Sequence, residues 1–214
     1  MKQVIVAAVF AAVLGAPAAA SAQMAVGLKG GVRWAGLRSD QEAEAGTGIV
    51  AGGYVGFGVA DQLALQFEID YGVRSFSGLG VGANAVSPDA IPSELQMSYL
   101  EVPLLLRVGF PRERVLPSFF AGPYVGFLLS CDLRPEGGES RSCDDATRSE
   151  WFDPRGTDAG IVLGGSVDFA MGDGSFFVDV RYGLGLLSIH DDDAISANHG
   201  GLDFTGGFAF PIGR

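Results

Sequence analysis

The feature that most constrains this chain is an alternation of apolar and polar side chains with a period of two residues. It recurs in eight segments of about ten residues or more, separated by polar or turn-forming stretches. Successive side chains of a β-strand point to opposite faces, and about 9–11 residues suffice for a tilted strand to cross a bilayer. The alternation therefore predicts eight strands, over residues 24–36, 48–59, 63–75, 97–110, 118–130, 159–171, 175–188 and 201–211.

The two faces of these predicted strands differ in charge. One face is apolar and has no charged residue in any of the eight segments. The opposite face is rich in glycine and bears five basic and six acidic side chains, so its charges nearly balance. These side chains belong to Lys29, Arg33, Glu68, Asp70, Arg74, Glu101, Arg107, Asp168, Asp179, Arg181 and Asp203.

Alternation alone does not decide which face points inward. A soluble lipocalin-like carrier has apolar residues inside its barrel and polar residues outside, and this arrangement stays open as an alternative. Two observations favour the inverted arrangement. Small residues suit the narrow interior of an eight-stranded barrel, and a nearly neutral set of charges suits a closed interior, where charges must be paired. We therefore predict an all-β, eight-stranded antiparallel up-and-down transmembrane β-barrel whose lumen holds the eleven charged residues as a network.

The connections between the segments indicate how the barrel sits in the membrane. The second, fourth and sixth connections are short, at residues 60–62, 111–117 and 172–174, whereas the others are long. The long connections cover about residues 37–47, 76–96, 131–158 and 189–200. Short turns at one end and long loops at the other are typical of outer-membrane barrels, with the long loops outside the cell.

The N-terminus predicts a secretory signal peptide. Lys2 is followed by an apolar run over residues 4–14 and by the small-residue box Ala20-Ser21-Ala22. We expect cleavage after Ala22, which makes residues 1–22 the signal peptide and residues 23–214 the barrel domain. A chain of this kind is exported through the periplasm.

Cysteine and proline residues predict two local features of the barrel. Cys131 and Cys143 lie close together in a polar stretch, and an exported chain meets an oxidising compartment, so we expect a disulfide between them. Two free thiols are the alternative. Pro103 and Pro123 fall within predicted strands and each removes a ladder hydrogen-bond donor, so we expect a bulge or a bend at both positions.

Four segments resemble the PorT-like outer-membrane β-barrel family. They are LALQFEIDYGVRSF (63–76), YLEVPLLLRVGF (99–110), FFAGPYVGFLLS (119–130) and FFVDVRYGLGLLSI (176–189). The resemblance covers nearly the whole mature chain and implies an OmpA/OmpX-like eight-stranded barrel in the outer membrane of a Gram-negative bacterium. It also implies that Pro103 and Pro123 are family features. The secretion role after which the family is named is not carried over, because a shared fold does not establish a shared function.

Motifs for catalysis or cofactor binding are sparse. The sequence has no phosphate-binding loop, zinc-type cluster or Gly-x-Ser-x-Gly elbow, so we expect neither an enzyme nor a cofactor. One alternative is a barrel-rim enzyme, a lipid-modifying hydrolase or a protease, built on Ser188, His190 and Asp192 in the last long loop. The acidic stretches 144–145 and 191–193 are candidate divalent-cation sites, although solvated acidic loops explain them better.

The net charge narrows the range of partners. A formal charge of -11 opposes binding to nucleic acid. We expect instead contacts with outer-membrane lipid, with lipopolysaccharide and with the barrel-assembly machinery. Because the predicted lumen is closed, function should reside in the long loops. This favours a non-enzymatic barrel of structural, adhesive or ligand-binding type, whose extracellular ligand the sequence does not name.

Overall fold

The computed structural model describes residues 24–38, 44–77, 92–135, 141–143, 156–187 and 198–212. These residues form nine strands, which are β1 (Met24–Arg38), β2 (Glu44–Ala60), β3 (Leu63–Ser77), β4 (Pro92–Gly109), β5 (Val115–Pro135), β6 (Arg141–Ser142), β7 (Thr157–Met171), β8 (Gly174–Gly185) and β9 (Asn198–Ile212). The predicted signal peptide lies outside the described residues. Within the described ranges, no helix is long and apolar enough to span a membrane.

Eight of the strands close into one barrel. They pair antiparallel in the order β1-β2-β3-β4-β5-β7-β8-β9, and β9 pairs again with β1, from Met24 opposite Ile212 to Arg38 opposite Asn198. Closure leaves no sheet edge with unpaired backbone groups, which lipid does not tolerate. The two-residue strand β6 lies outside this ring and pairs with the end of β5. The predicted eight-stranded antiparallel barrel is confirmed.

The strand ends match the predicted ones more closely at the short turns than at the long loops. At the loop end, β2 begins at Glu44 instead of residue 48, β4 begins at Pro92 instead of residue 97, and β5 ends at Pro135 instead of residue 130. The added residues are largely polar or small, so the apolar face ends there while the backbone pairing continues. The strands therefore project beyond their apolar band at this end.

The apolar face points outward and the charged face points inward. Leu28 and Phe119 on the apolar face are 74% and 68% exposed, whereas Glu68 and Asp70 on the charged face are 0% and 2% exposed. This is the inverse of a soluble carrier, so the lipocalin-like alternative is wrong. An exposed apolar band around a charged interior is the arrangement that a bilayer requires of a barrel.

Two local expectations differ from the structure. Of the bulge or bend expected at Pro103 and Pro123, the bulge is absent: the register is continuous through both, because a proline removes one hydrogen-bond donor without adding a residue to its strand. The two shifts between β4 and β5 lie instead between Pro92 and Glu94 and between Ser98 and Tyr99. Beside the second shift, Val73 pairs with Ser98 and is buried, although the alternation places Val73 on the outer face.

Candidate functional site

The lumen of the barrel is the candidate site, because the inward side chains of eight strands meet there. The structure places all eleven sequence-predicted charged residues in the lumen, each in at least one ion pair. Together with Asp158, they form an upper cluster, a middle cluster and a lower pair from the long-loop end to the short-turn end. The upper cluster is Arg33, Arg74, Glu101, Asp158 and Asp203; the middle cluster is Lys29, Glu68, Asp70, Asp179 and Arg181; the lower pair is Arg107 and Asp168.

In the upper cluster, two guanidinium groups lie between three carboxylates. Arg33 donates from Nη1 and Nη2 to the two oxygens of Glu101, at 2.6 and 2.8 Å. It also donates from Nε and Nη2 to Asp203, at 2.7 and 2.8 Å. Arg74 donates to Glu101 at 2.6 Å and to Asp158 at 3.0 Å. Such bidentate pairs fix both distance and orientation, so the cluster ties β1, β3, β4, β7 and β9 together.

In the middle cluster, Glu68 is the shared acceptor. Its Oε2 accepts from Lys29 Nζ at 2.6 Å and from Arg181 Nη1 at 2.7 Å. Lys29 also donates to Asp70 Oδ2 at 2.7 Å, and Arg181 donates to Asp179 Oδ2 at 2.6 Å. Arg181 on β8 thus reaches across the lumen to β3, which a wide aqueous channel would not allow.

The lower pair is held by polar neighbours and is connected to the middle cluster. Arg107 forms an ion pair with Asp168 and donates from Nε to Ser118 Oγ at 2.8 Å. Gln66 accepts from Arg107 Nη1 at 3.4 Å and donates from Nε2 to Glu68 Oε1 at 2.6 Å. Hydrogen bonds therefore run continuously from the lower pair into the middle cluster.

Apolar side chains occupy the two ends of the lumen. Near the short turns, Tyr54, Phe177 and Ala209 pack together, with 5.8 Å between the centroids of the two rings. Near the long loops a second group, called here the upper cap, lies above the upper cluster. The upper cap is Ala35, Phe76, Leu95, Met97, Tyr99, Cys131 and Cys143. Between these ends the interior is filled by the buried ion pairs and by a third group of buried side chains, which is Leu105, Phe120, Tyr124 and Val162.

The upper cap contains a disulfide. Cys131 is bonded to Cys143, and their Cα atoms are 5.3 Å apart. Leu129 is an extra residue in β5 at the second register shift, after which Cys131 lies opposite Met97. A bulge of this kind turns the following residues to the other face. It therefore points Cys131 into the cap, where the disulfide ties β6 and the start of the following loop to the barrel.

Sequence reasoning missed one member of the upper cluster. Asp158 is 5% exposed and pairs with Arg74, yet it precedes the predicted start of its strand at residue 159. It shares the parity of Asp168 on the same strand, so extending the inward alternation by one step identifies it. With Asp158, the network contains five basic and seven acidic residues, and each cluster has one carboxylate more than it has cations.

Glycine makes room for these large side chains. A Cβ atom added at Gly72 would lie 2.5 Å from Nη1 of Arg33, and one added at Gly52 would collide with Oδ1 of Asp70. Both glycines face the lumen beside a charged group. The glycine-rich inner face therefore gives the space that the ion pairs fill.

The other candidate sites lie outside the described residues. They are Ser188, His190 and Asp192 of the proposed rim enzyme and the acidic stretches 144–145 and 191–193. Among the residues that the structure does describe, no group of three or more His, Cys, Asp or Glu side chains is arranged to hold a metal ion.

Comparisons with known proteins agree with this geometry. Residues 18–191 match the family described as outer membrane protein beta-barrel domain. No curated protein sequence matches the chain. Among solved structures, Neisserial surface protein A has a TM-score of 0.52 at 13% identity, over 88% of this chain and 97% of that one.

Two further barrels are more distant in structure. Ail, the attachment invasion locus protein of Yersinia pestis, has a TM-score of 0.47 at 15% identity, over 88% of this chain and 99% of that one. The N-terminal barrel of Pseudomonas aeruginosa OprF has a TM-score of 0.39 at 12% identity, over the same shares. The family match spans most of the chain, and the closed barrel with its apolar exterior agrees with it: the chain belongs to the outer membrane protein beta-barrel domain family.

Proposed function

We propose that this outer-membrane protein is a non-enzymatic, non-conducting barrel that presents its long loops to the outside as a structural, adhesive or ligand-binding surface. The observation that carries the proposal is the filled lumen. The upper cluster, the middle cluster and the lower pair follow one another along the interior, with apolar groups at both ends. A solute has no free path through such an interior.

Opening a path would require several buried ion pairs to separate together. Removing one partner of a buried ion pair typically costs about 3–5 kcal/mol, because the other charge is left uncompensated. Arg33, Arg74 and Arg181 each pair with at least two carboxylates. The barrel therefore serves as a rigid support, and recognition falls to the connections at its long-loop end.

Electrical recording tests the closed lumen. The protein, refolded in detergent and added to a planar lipid bilayer, should give no steady current above that of the bare membrane. Heat-modifiable migration in electrophoresis, measured on the same sample, shows that the barrel is folded. A stable conductance of porin size from the folded protein would contradict the proposal.

Loop replacement tests the proposed surface. Replacing residues 78–91 by a short Gly-Ser turn should abolish the adhesion or ligand binding that the wild-type protein confers on whole cells. The matched control replaces the short turn at residues 110–114, and should leave that binding unchanged. Equal loss in both variants, with both barrels folded, would count against recognition through the long loops.

The proposal also covers the narrower family, the type of bacterium and the signal peptide. We place the chain with the PorT-like barrels, in a Gram-negative bacterium, with residues 1–22 as a signal peptide for export through the periplasm. The support is the order of the four matching segments and the three-part N-terminus. Sequencing the N-terminus of the protein isolated from outer membranes should give Gln23 as the first residue, and an intact Met1 would refute the cleavage.

The proposed partners of the barrel wall are outer-membrane lipid, lipopolysaccharide and, during insertion, the barrel-assembly machinery. The support is the exposed apolar band, in which Phe169, Phe176 and Phe208 form a row on neighbouring strands. Aromatic side chains near strand ends are the usual contacts at the two membrane surfaces. Native mass spectrometry from lipopolysaccharide-containing membranes should detect retained lipid.

A further inference from the structure

A small cavity lies between the upper and middle clusters. Its volume is about 30 Å³. Its lining includes Asp70 and Arg181 from the middle cluster, and Arg33, Glu101 and Asp203 from the upper cluster. Charged groups from both halves of the network therefore line part of the cavity.

One carboxylate at this cavity is only half paired. Asp70 is 2% exposed, and its Oδ2 accepts from Lys29 at 2.7 Å. Its Oδ1 is shielded and meets no hydrogen-bond donor among the described residues. An unsatisfied buried acceptor is destabilising, and such groups in folded proteins are nearly always paired with protein or ordered water.

We propose that the cavity binds one or two ordered water molecules, one of which donates to Oδ1 of Asp70. A cavity needs only about 10–15 Å³ to hold one water molecule, and a bound water needs two to four polar partners. Both conditions are met here. The volume admits the molecule, and the carboxylates and guanidinium groups that line the cavity supply acceptors and donors.

The charges around the cavity favour water over an ion. Three cations line it, from Arg33, Arg74 and Arg181, and three carboxylates face them. A monovalent cation would meet three guanidinium groups, and an anion would meet Asp70, Glu101 and Asp203. A neutral molecule that both donates and accepts fits this balanced lining, and it links Asp70 to the upper cluster.

A substitution that fills the cavity distinguishes a cavity that holds water from one that is dry. Gly183 lines the cavity, and a Cβ added there has its nearest neighbour 4.0 Å away. Gly56 is a matched control, since it also faces inward with its nearest neighbour at 3.9 Å, but it does not line the cavity. If water is bound, the Gly183→Ala methyl displaces it and leaves Asp70 unsatisfied. We expect the folding equilibrium constant in lipid vesicles to fall about tenfold relative to Gly56→Ala. A Gly183→Ala protein as stable as Gly56→Ala, or more stable, would show a dry cavity and overturn the proposal.

Two further measurements assign the effect to Asp70. In an Asp70→Leu background the acceptor is gone, so Gly183→Ala should no longer lower the folding equilibrium constant. If Gly183→Ala still lowers that constant in this background, the proposal is overturned. A crystal structure of the wild-type protein decides the matter even where the double variant does not fold. Water density within hydrogen-bond distance of Asp70 Oδ1 supports the proposal. An empty cavity, a protein donor on that oxygen or a coordinated cation refutes it.

Discussion

Replacing Arg33 by methionine removes a guanidinium group that pairs with two carboxylates of the upper cluster. Methionine keeps roughly the apolar volume of the aliphatic part of arginine, so the change mainly removes the charge and its hydrogen bonds. Four hydrogen bonds of 2.6 to 2.8 Å to Glu101 and Asp203 are lost. Arg74 is then left as the cation among the carboxylates of Glu101, Asp158 and Asp203.

The expected cost follows from burial. Arg33 is 7% exposed, and its two partners are 5% and 4% exposed, so bulk water has little access to the carboxylates that lose their donors. Removing one partner of a buried pair costs about 3–5 kcal/mol, and we expect Arg33→Met to fall in this range. Asp203→Asn should cost less, about 1–2 kcal/mol, because it removes the surplus carboxylate of the cluster and the amide oxygen still accepts from Arg33.

The measurement is the free energy of unfolding in urea, from reversible unfolding of the barrel in lipid vesicles. Arg112→Met is the matched control, because Arg112 is exposed in a short turn, and its change should lie within about 0.5 kcal/mol of the wild type. If Asp203→Asn costs as much as Arg33→Met, the excess of carboxylates in the upper cluster does not govern its stability. If Arg33→Met resembles the Arg112 control, bulk water enters the lumen and the ion pairs are weak.

Three other substitutions test separate parts of the structure by the same unfolding measurement. Ile69→Arg places a charge on the lipid-facing side and should cost about 2–4 kcal/mol of unfolding free energy if the site lies near the bilayer midplane. A cost below about 0.5 kcal/mol would mean that this face meets water. Gly72→Ala should destabilise the barrel because its Cβ would lie 2.5 Å from Arg33. Gly30→Ala is the control and should not destabilise the barrel, because the nearest neighbour of its Cβ is 3.9 Å away. Equal losses of stability in the two variants would contradict the packing around Arg33. Replacing Cys131 and Cys143 together by serine should cost about 3 kcal/mol, because the unfolded chain without the disulfide has more conformational entropy. A reducing agent should then have no further effect on stability. An unchanged stability of the double variant would mean that the disulfide does not constrain the unfolded chain.

The alternation along the chain predicts the strands and separates their two faces, and the glycines and balanced charges assign one face to the lumen. The charged lumen residues of each strand share one parity, and this is a local property of the sequence. Asp158 is missed because the apolar face sets the predicted strand start at residue 159, whereas the inward face begins one residue earlier. The alternation of the inward face, taken by itself, includes Asp158.

Pairing across the lumen was not predictable in the same way. Arg181 and Glu68 are 113 residues apart in sequence and meet because of the tilt and stagger of the closed barrel. No local pattern encodes that stagger. The bulge at Leu129 that turns Cys131 inward is equally hidden, because an apolar residue is acceptable on either side of it.

The charged interior also explains how the chain distinguishes its two faces. In lipid, apolar side chains gain little by turning away from their surroundings, since acyl chains are as apolar as leucine. An entirely apolar barrel would therefore have weak preference for either orientation of each strand, and a shift by one residue would reverse both faces. Charges such as Arg33, Glu68 and Arg181 remove this ambiguity, because each is costly against lipid and is fully paired inside. The network thus specifies the register of the barrel as well as closing its lumen.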